Sequence, residues 1–150
     1  MLTIIAVGCS SGEPLLEDEN LQKLVSNKLD KNPYDITKED LKQIINLKIT
    51  GQEGAEVGAI KSVAGLENLS KLKALNLKSN QIKNVEPLKN LTELRYLDLS
   101  NNNIEDLKPL TNLDTLIHLN VSNNDLDISS GSKTMKIIKE LRAEGIKVKY

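Results

Sequence analysis

Few side chains in this 150-residue chain could do chemistry, and the leading candidates are His118 and Asp98. His118 is the single histidine, and an imidazole oriented by a carboxylate can act as a general base. In the repeat described below, Asp98 lies diagonally across from His118 on the preceding coil. No serine, cysteine or second base is placed to complete the set, because Ser100 and Ser122 are ordinary repeat positions. The pattern therefore predicts no enzymatic activity.

Composition disfavours metal, cofactor and nucleic-acid chemistry. One cysteine and one histidine leave no multi-cysteine site, no internal disulfide and no zinc triad. The acidic run Glu17, Asp18 and Glu19 could attract a cation, but carboxylates are expected in the first turn of a helix because they interact favourably with its dipole. With 20 basic and 21 acidic side chains and only three tyrosines as aromatic residues, the chain lacks the charge and the stacking surfaces of a nucleic-acid binder.

The elements that must position the candidate residues come from an internal repeat, which the 25 leucines and 16 asparagines of the chain indicate. The period is 22 residues, as in Leu75, Leu97 and Leu119. One full unit reads LTELRYLDLSNNNIEDLKPLTN. The same step links three further columns: Leu77, Leu99 and Val121; Asn80, Asn102 and Asn124; and Ile82, Ile104 and Leu126.

Each part of the repeat predicts a local structure. The segment x-L-x-L-x alternates with period 2, so it is a short strand with its leucines directed inward. The asparagine that follows can bond backbone groups of its own and neighbouring coils, so Asn80, Asn102 and Asn124 form a predicted structural column. The return stretch contains Pro87 and Pro109, which exclude a regular helix, and 3₁₀ or extended structure is expected there.

The N-terminal end of the array departs from the repeat, as the terminal unit of a solenoid must. Apolar residues at helical spacing predict a helix over 17–29. A second helix is expected to begin at Thr37, with Asp40 completing a capping box. Its apolar face would consist of Leu41, Ile44 and Ile45, and a first strand follows at Leu47, Lys48 and Ile49.

The C-terminal end also differs from the repeat. A helix is expected over 133–144, where Gly145 suits its terminus, and a last strand over 146–150. An insertion over 53–58 interrupts the first coil and contains two glycines, so it is predicted to be a surface loop.

The repeat and its caps resemble the bacterial internalin-type leucine-rich repeat proteins. The resemblance rests on coils of the form N-x-I-x-x-L-x-P-L-x-x-L, on the cap DENLQKLVSNKLDKNPYDITKEDLKQIINLKI and on the ending NNDLDISSGSKTMKIIKELRAEGIKVKY. It implies an α/β solenoid, a right-handed leucine-rich repeat horseshoe segment with about five parallel strands. Residues 17–46 would be a helical N-terminal cap, 47–131 the repeats and 132–150 a helix-strand C-terminal cap.

Residues 1–16 are predicted to be a signal remnant and tether. The stretch MLTIIAVGC is apolar and uncharged, and SSGEPLLEDEN after it is polar. The residues AVGC resemble the lipobox of bacterial lipoproteins, which implies a lipid on Cys9, export and attachment to the cell surface or envelope. The alternative is an N-terminal apolar strand that carries a buried free thiol.

The outward positions of the strands form a contiguous grid, because neighbouring strands of a sheet lie about 4.8 Å apart. Solenoids use such curved faces to recognise proteins. The rows of this grid are Asn46, Lys48 and Thr50; Ala74, Asn76 and Lys78; Tyr96, Asp98 and Ser100; His118, Asn120 and Ser122; and Lys147 and Lys149.

The centre of the grid is the predicted partner-binding patch. Tyrosine is enriched among interface hot spots, and Tyr96 is the only tyrosine on a central row, directly beside His118. Asp98 and Asn120 form the next row and would add polar specificity, with Asn76 and Lys78 on the preceding strand.

These observations leave two classes of function. The first is a protein-binding module that acts as a monomer and is held at a bacterial surface by a lipid on Cys9. The second is a structural or assembly component of the cell envelope, which packs the same face on a fixed partner. Neither class needs a cofactor, and both require a protein partner.

Overall fold

Short parallel strands line one side of the molecule, and helical caps close the ends of the array. The computed structural model describes residues 13–51 and 58–150, so that Cys9 and most of the predicted loop at 53–58 lie outside it. No helix within these ranges is long and apolar enough to cross a membrane. The helices are α1 (Glu19–Leu29), α2 (Lys38–Leu41) and α3 (Lys133–Ala143), and the strands are β1 (Asn46–Lys48), β2 (Ala74–Asn76), β3 (Tyr96–Asp98), β4 (His118–Asn120) and β5 (Lys147–Lys149).

The strands form one parallel sheet in the order β1-β2-β3-β4-β5, which confirms the predicted solenoid. In the centre of the sheet, residues that are 22 positions apart pair with each other: Leu75 pairs with Leu97, and Leu97 pairs with Leu119. At the ends, Leu47 pairs with Leu75 and Leu119 with Val148. The sequence separation within these two end pairs exceeds 22 residues, because an insertion precedes β2 and α3 precedes β5.

The core consists of leucine layers between the sheet and the return stretches. The inward strand residues Leu75, Leu97 and Leu119 are almost fully buried. The return stretches contain 3₁₀ turns at Leu66–Asn68, Glu86–Asn90 and Lys108–Leu110, as expected, and each turn buries one leucine against the layers. Burial of one such side chain contributes about 1.5–3 kcal/mol, so the repeated leucines supply most of the stability.

Two carboxylates of the acidic run, those of Glu17 and Asp18, bond groups of the protein itself. Asp18 caps α1, because its Oδ1 accepts hydrogen bonds from the N–H groups of Asn20 and Leu21 at 2.9 and 3.1 Å. Its Oδ2 accepts from the N–H of Lys61 at 2.9 Å, which ties the cap to the first coil. Glu17 accepts a hydrogen bond from the Ser62 hydroxyl at 2.5 Å. The contacts of Asp18 favour the helix-capping interpretation, and Glu19 lies in the first turn of α1.

The packed structure extends further toward the N-terminus than residue 17. Leu16, which the sequence placed in the tether, is buried in the core with 2% of its surface exposed. The N–H of Glu17 donates to the carbonyl of Ala64 at 3.2 Å. Gly65 has a φ of 98°, and a Cβ there would lie 2.2 Å from the Leu15 carbonyl oxygen. Residues 15 and 16 therefore pack directly against the first coil.

The second cap helix begins as predicted but is shorter. Thr37 and Asp40 form the capping box of α2. Leu41 and Ile44 are buried, but the prediction for Ile45 is wrong, because 47% of its surface is exposed. The helix ends at Leu41, and the chain that follows leads directly into β1, so Ile45 no longer follows the helical spacing.

The C-terminal cap closes the last leucine layer. Ser132 caps α3, since its Oγ accepts from the N–H of Met135 at 3.1 Å. Gly145 follows the helix with a φ of 92°, a conformation that glycine adopts without a steric penalty. The Arg142 guanidinium lies 4.7 Å from the centre of the Tyr150 ring and donates to the Val148 carbonyl at 2.8 Å. Arg142 thereby holds α3 against β5.

Candidate binding surface

The concave side of the sheet is a groove of about 1060 Å³ that is bounded by the two caps. The sheet provides its floor, α1 contributes Leu24 and Lys28 at one end, and Arg142 of α3 lies at the other. The strands contribute the outward lining side chains, which are Asn46, Lys48, Ala74, Asn76, Tyr96, Asp98, His118, Asn120, Lys147 and Lys149.

Two flat side chains stack at the centre of the groove. Tyr96 and His118 are register partners on β3 and β4. Their ring centroids lie 5.3 Å apart and their planes are inclined by 12°. Tyr96 remains 50% exposed, although each ring covers one face of the other. The pair forms a preordered platform that is open to a ligand.

The next row consists of polar side chains that the turn after each strand holds in place. The Ser100 N–H and Oγ donate to Asp98 Oδ1 at 2.9 and 2.6 Å. In the same way, Ser122 Oγ donates to Asn120 Oδ1 at 2.8 Å. Ser100, which the sequence placed on the outward grid, is only 3% exposed and does not line the groove. Its hydroxyl is instead bonded to Asp98. The side chains of Asp98 and Asn120 are therefore oriented before any ligand binds.

His118 and Asp98 are not arranged as a general base and the carboxylate that orients it. His118 stacks on Tyr96, and Asp98 accepts from Ser100. In the described ranges no hydrogen bond connects the two side chains, and no group of three or more histidine, cysteine, aspartate or glutamate side chains is arranged to hold a metal ion. The arrangement suits binding through a planar apolar surface and oriented polar groups.

Comparison with known proteins relates this architecture to a family. Residues 92–131 match a family model described as Leucine Rich repeats (2 copies). The chain is 32% identical to an internalin, inlF, from Listeria monocytogenes, over 77% of this chain and 33% of that one, with a TM-score of 0.68. The chain is a leucine-rich repeat protein of the internalin type.

Two further structures from L. monocytogenes are similar to this internalin-type chain. The functional domain of InlJ is 28% identical over 77% of the chain and 25% of its own length, with a TM-score of 0.66. Internalin C2 shares the fold, with 24% identity over 91% of this chain and 55% of that one and a TM-score of 0.72. The chain thus spans between a quarter and about half of these structures. No curated protein sequence matches it.

Most of the predicted site residues of this internalin-type chain lie together in the groove, which Tyr96, Asp98, His118, Asn120 and Asn76 all line. Lys78 is exposed beyond the end of β2, but it is not part of the lining.

Sequence reasoning missed the cap residues Lys28 and Arg142, which close the two ends of the groove. Both residues sit on exposed positions of amphipathic helices, where a cation normally marks a solvated face. No local signal in the sequence shows that these faces border the sheet.

Proposed function

We propose that this chain is a non-catalytic protein-binding module whose concave groove recognises a protein partner. The observation that carries the proposal is the Tyr96–His118 stack, which is exposed at the centre of the groove and has no role in the core. Aromatic side chains in such positions commonly supply a large share of binding energy. The oriented carboxylate and amide of Asp98 and Asn120 beside the stack would select among partners.

The proposal includes the place where the module acts. A lipid on Cys9 would hold the domain at the bacterial cell surface or envelope, with the residues before Leu15 as a short tether. The sequence AVGC and the polar residues after it support this part. The similarity to internalins from a bacterium agrees with it. We further propose that the module acts as a monomer.

A capture experiment tests the proposed binding face. The full chain is immobilised, exposed to intact cells or envelope extract, and the bound proteins are quantified. Tyr96→Ala should weaken capture by about 2 kcal/mol, which is roughly thirtyfold in affinity, while the fold survives because Tyr96 supports no core residue.

The matched control for this experiment is Lys108→Ala. Lys108 is exposed on the convex side, in the 3₁₀ turn Lys108–Leu110, and forms no ion pair in the described chain. Its replacement should leave capture unchanged. Equal losses for Lys108→Ala and Tyr96→Ala would show that the partner docks outside the groove.

A further inference from the structure

We infer that the groove is built for an extended protein segment with acidic residues at both ends and an uncharged centre. The inference rests on the proposed function and adds the chemistry of the partner. It follows from the distribution of charge along the groove, from the distance between its charged ends and from the polar groups between them.

The groove is cationic, although the whole chain has a net charge of −1. Its described lining contains five basic side chains and a single carboxylate, that of Asp98. Among the described residues, the ion pairs of the protein join Lys31, Lys42 and Lys89 to carboxylates, and none of these lysines lines the groove. No carboxylate of the described residues therefore pairs with a groove cation, although Arg142 also bonds the Val148 carbonyl. The five basic residues are Lys28, Lys48, Arg142, Lys147 and Lys149.

The charges are concentrated at the two ends. Lys28 and Lys48 lie on α1 and β1, whereas Arg142, Lys147 and Lys149 lie on α3 and β5. Lys48 and Lys149 belong to one register row that crosses all five described strands. Four strand spacings of about 4.8 Å separate them by roughly 19 Å. An extended peptide that rises about 3.3 Å per residue needs roughly six residues to reach from one end to the other.

The centre of the same row has a different character. Asn76, Asp98 and Asn120 lie between the two lysines, and the carboxylate of Asp98 repels a ligand that is anionic along its whole length. The Asn76 and Asn120 side chains can instead bond the amides of a peptide backbone. The Tyr96–His118 stack offers a flat surface beside them. The groove therefore favours a peptide with separated acidic ends over a continuous polyanion such as a polyphosphate.

Synthetic peptides and fluorescence anisotropy test this inference. The probe is the labelled peptide Glu-Glu-Gly-Ser-Asn-Ser-Gly-Glu-Glu, and the neutral comparison has glutamine in place of each glutamate. The full chain should bind the acidic-ended peptide at least tenfold more tightly than the neutral one. Higher salt should weaken this difference, because it screens exposed charges. A chain of inorganic polyphosphate with the same number of charges should bind less tightly than the acidic-ended peptide.

A matched pair of double variants locates the effect. Lys48→Gln with Lys149→Gln should lower the affinity for the acidic-ended peptide at least tenfold. Lys83→Gln with Lys108→Gln removes the same charge from exposed positions outside the groove and should change it less than twofold. Circular dichroism and the melting temperature verify that both double variants fold.

Three results would overturn the inference: equal binding of the two peptides, equal losses in the two double variants, or tighter binding of polyphosphate. The capture assay with Tyr96→Ala judges the proposed function separately. Suppose that capture of a partner depends on Tyr96 while the chain shows no preference for acidic-ended peptides. That result would support the proposed function and contradict only the inference that the ligand has acidic ends.

Discussion

The side chain of Asn102 joins two consecutive coils through the backbone of Ile82. Asn102 Oδ1 accepts a hydrogen bond from the Ile82 N–H at 3.0 Å. Its Nδ2 donates to the carbonyls of Leu77 and Leu99 at 3.0 and 2.9 Å. The residue is 6% exposed, so these groups have little water to replace a lost partner. Asn80 and Asn124 make the equivalent bonds one coil earlier and one coil later.

Asn102→Leu should lower the free energy of unfolding by about 1–3 kcal/mol, because it leaves buried backbone groups without a partner. Urea denaturation measures the loss. Asn112→Leu is the matched control, since Asn112 is exposed and makes no side-chain hydrogen bond within the described chain. Asn101 would not serve, because its φ of 57° is itself unfavourable for leucine. Equal losses at Asn102 and Asn112 would contradict the role of the asparagine column.

Gly65→Ala tests the docking of residues 15 and 16. Gly65 and Gly145 both have positive φ values, 98° and 92°, so alanine strains the backbone at either position by about 1–2 kcal/mol. Only at Gly65 would the new Cβ meet the Leu15 carbonyl and Leu16. Gly65→Ala should therefore destabilise the chain by roughly 1–3 kcal/mol more than Gly145→Ala in thermal or urea unfolding. Equal effects would mean that this segment does not pack tightly.

Asp40 should make the N-terminal cap sensitive to acid. The hydrogen bond from Lys31 Nζ at 2.6 Å, followed by those from the Thr37 N–H and hydroxyl, lowers the pKa of Asp40 from 3.8 to about 2. A carboxyl whose pKa is lower in the folded state stabilises the fold above its unfolded pKa. This contribution is lost as the pH falls from about 4 toward 2.

Unfolding by urea at several pH values measures this effect. Between pH 4 and pH 2 the wild type should lose more stability than Asp40→Asn does, because the variant has no carboxylate to protonate. Asp114→Asn is the control, since no hydrogen bond to the Asp114 side chain is present in the described ranges, and it should follow the wild type. If the free energy of unfolding of Asp40→Asn falls between pH 4 and pH 2 as much as that of the wild type, Asp40 does not cause the acid sensitivity.

Cys9 carries the proposed lipid, so Cys9→Ala should move the protein from the detergent phase to the aqueous phase when the chain is expressed with its native start in a bacterium. Ser10→Ala, at the neighbouring position, should leave the partitioning as in the wild type. Metabolic labelling with a fatty acid should mark the wild type and not Cys9→Ala. If both proteins partition alike, the lipid anchor is refuted while the binding groove is unaffected.

The sequence by itself determined the repeat architecture. Each coil of a solenoid contacts mainly its neighbours, so the 22-residue period sets the register of Leu75, Leu97 and Leu119 without knowledge of distant contacts. The 22-residue period also places Tyr96 beside His118, because the two residues are one period apart on consecutive strands. The 3₁₀ turns follow from a coil too short for a helix and from its prolines.

Only the tertiary structure decided how the ends of the chain complete this array. The burial of Leu16 and the exposure of Ile45 each depend on which neighbouring segment is present, and no period encodes that. Lys28 and Arg142 border the groove because α1 and α3 pack at the ends of the sheet in one orientation. Helical periodicity shows which face of a cap is apolar, but not what its polar face will adjoin. The cationic ends of the groove are therefore a property of the assembled fold.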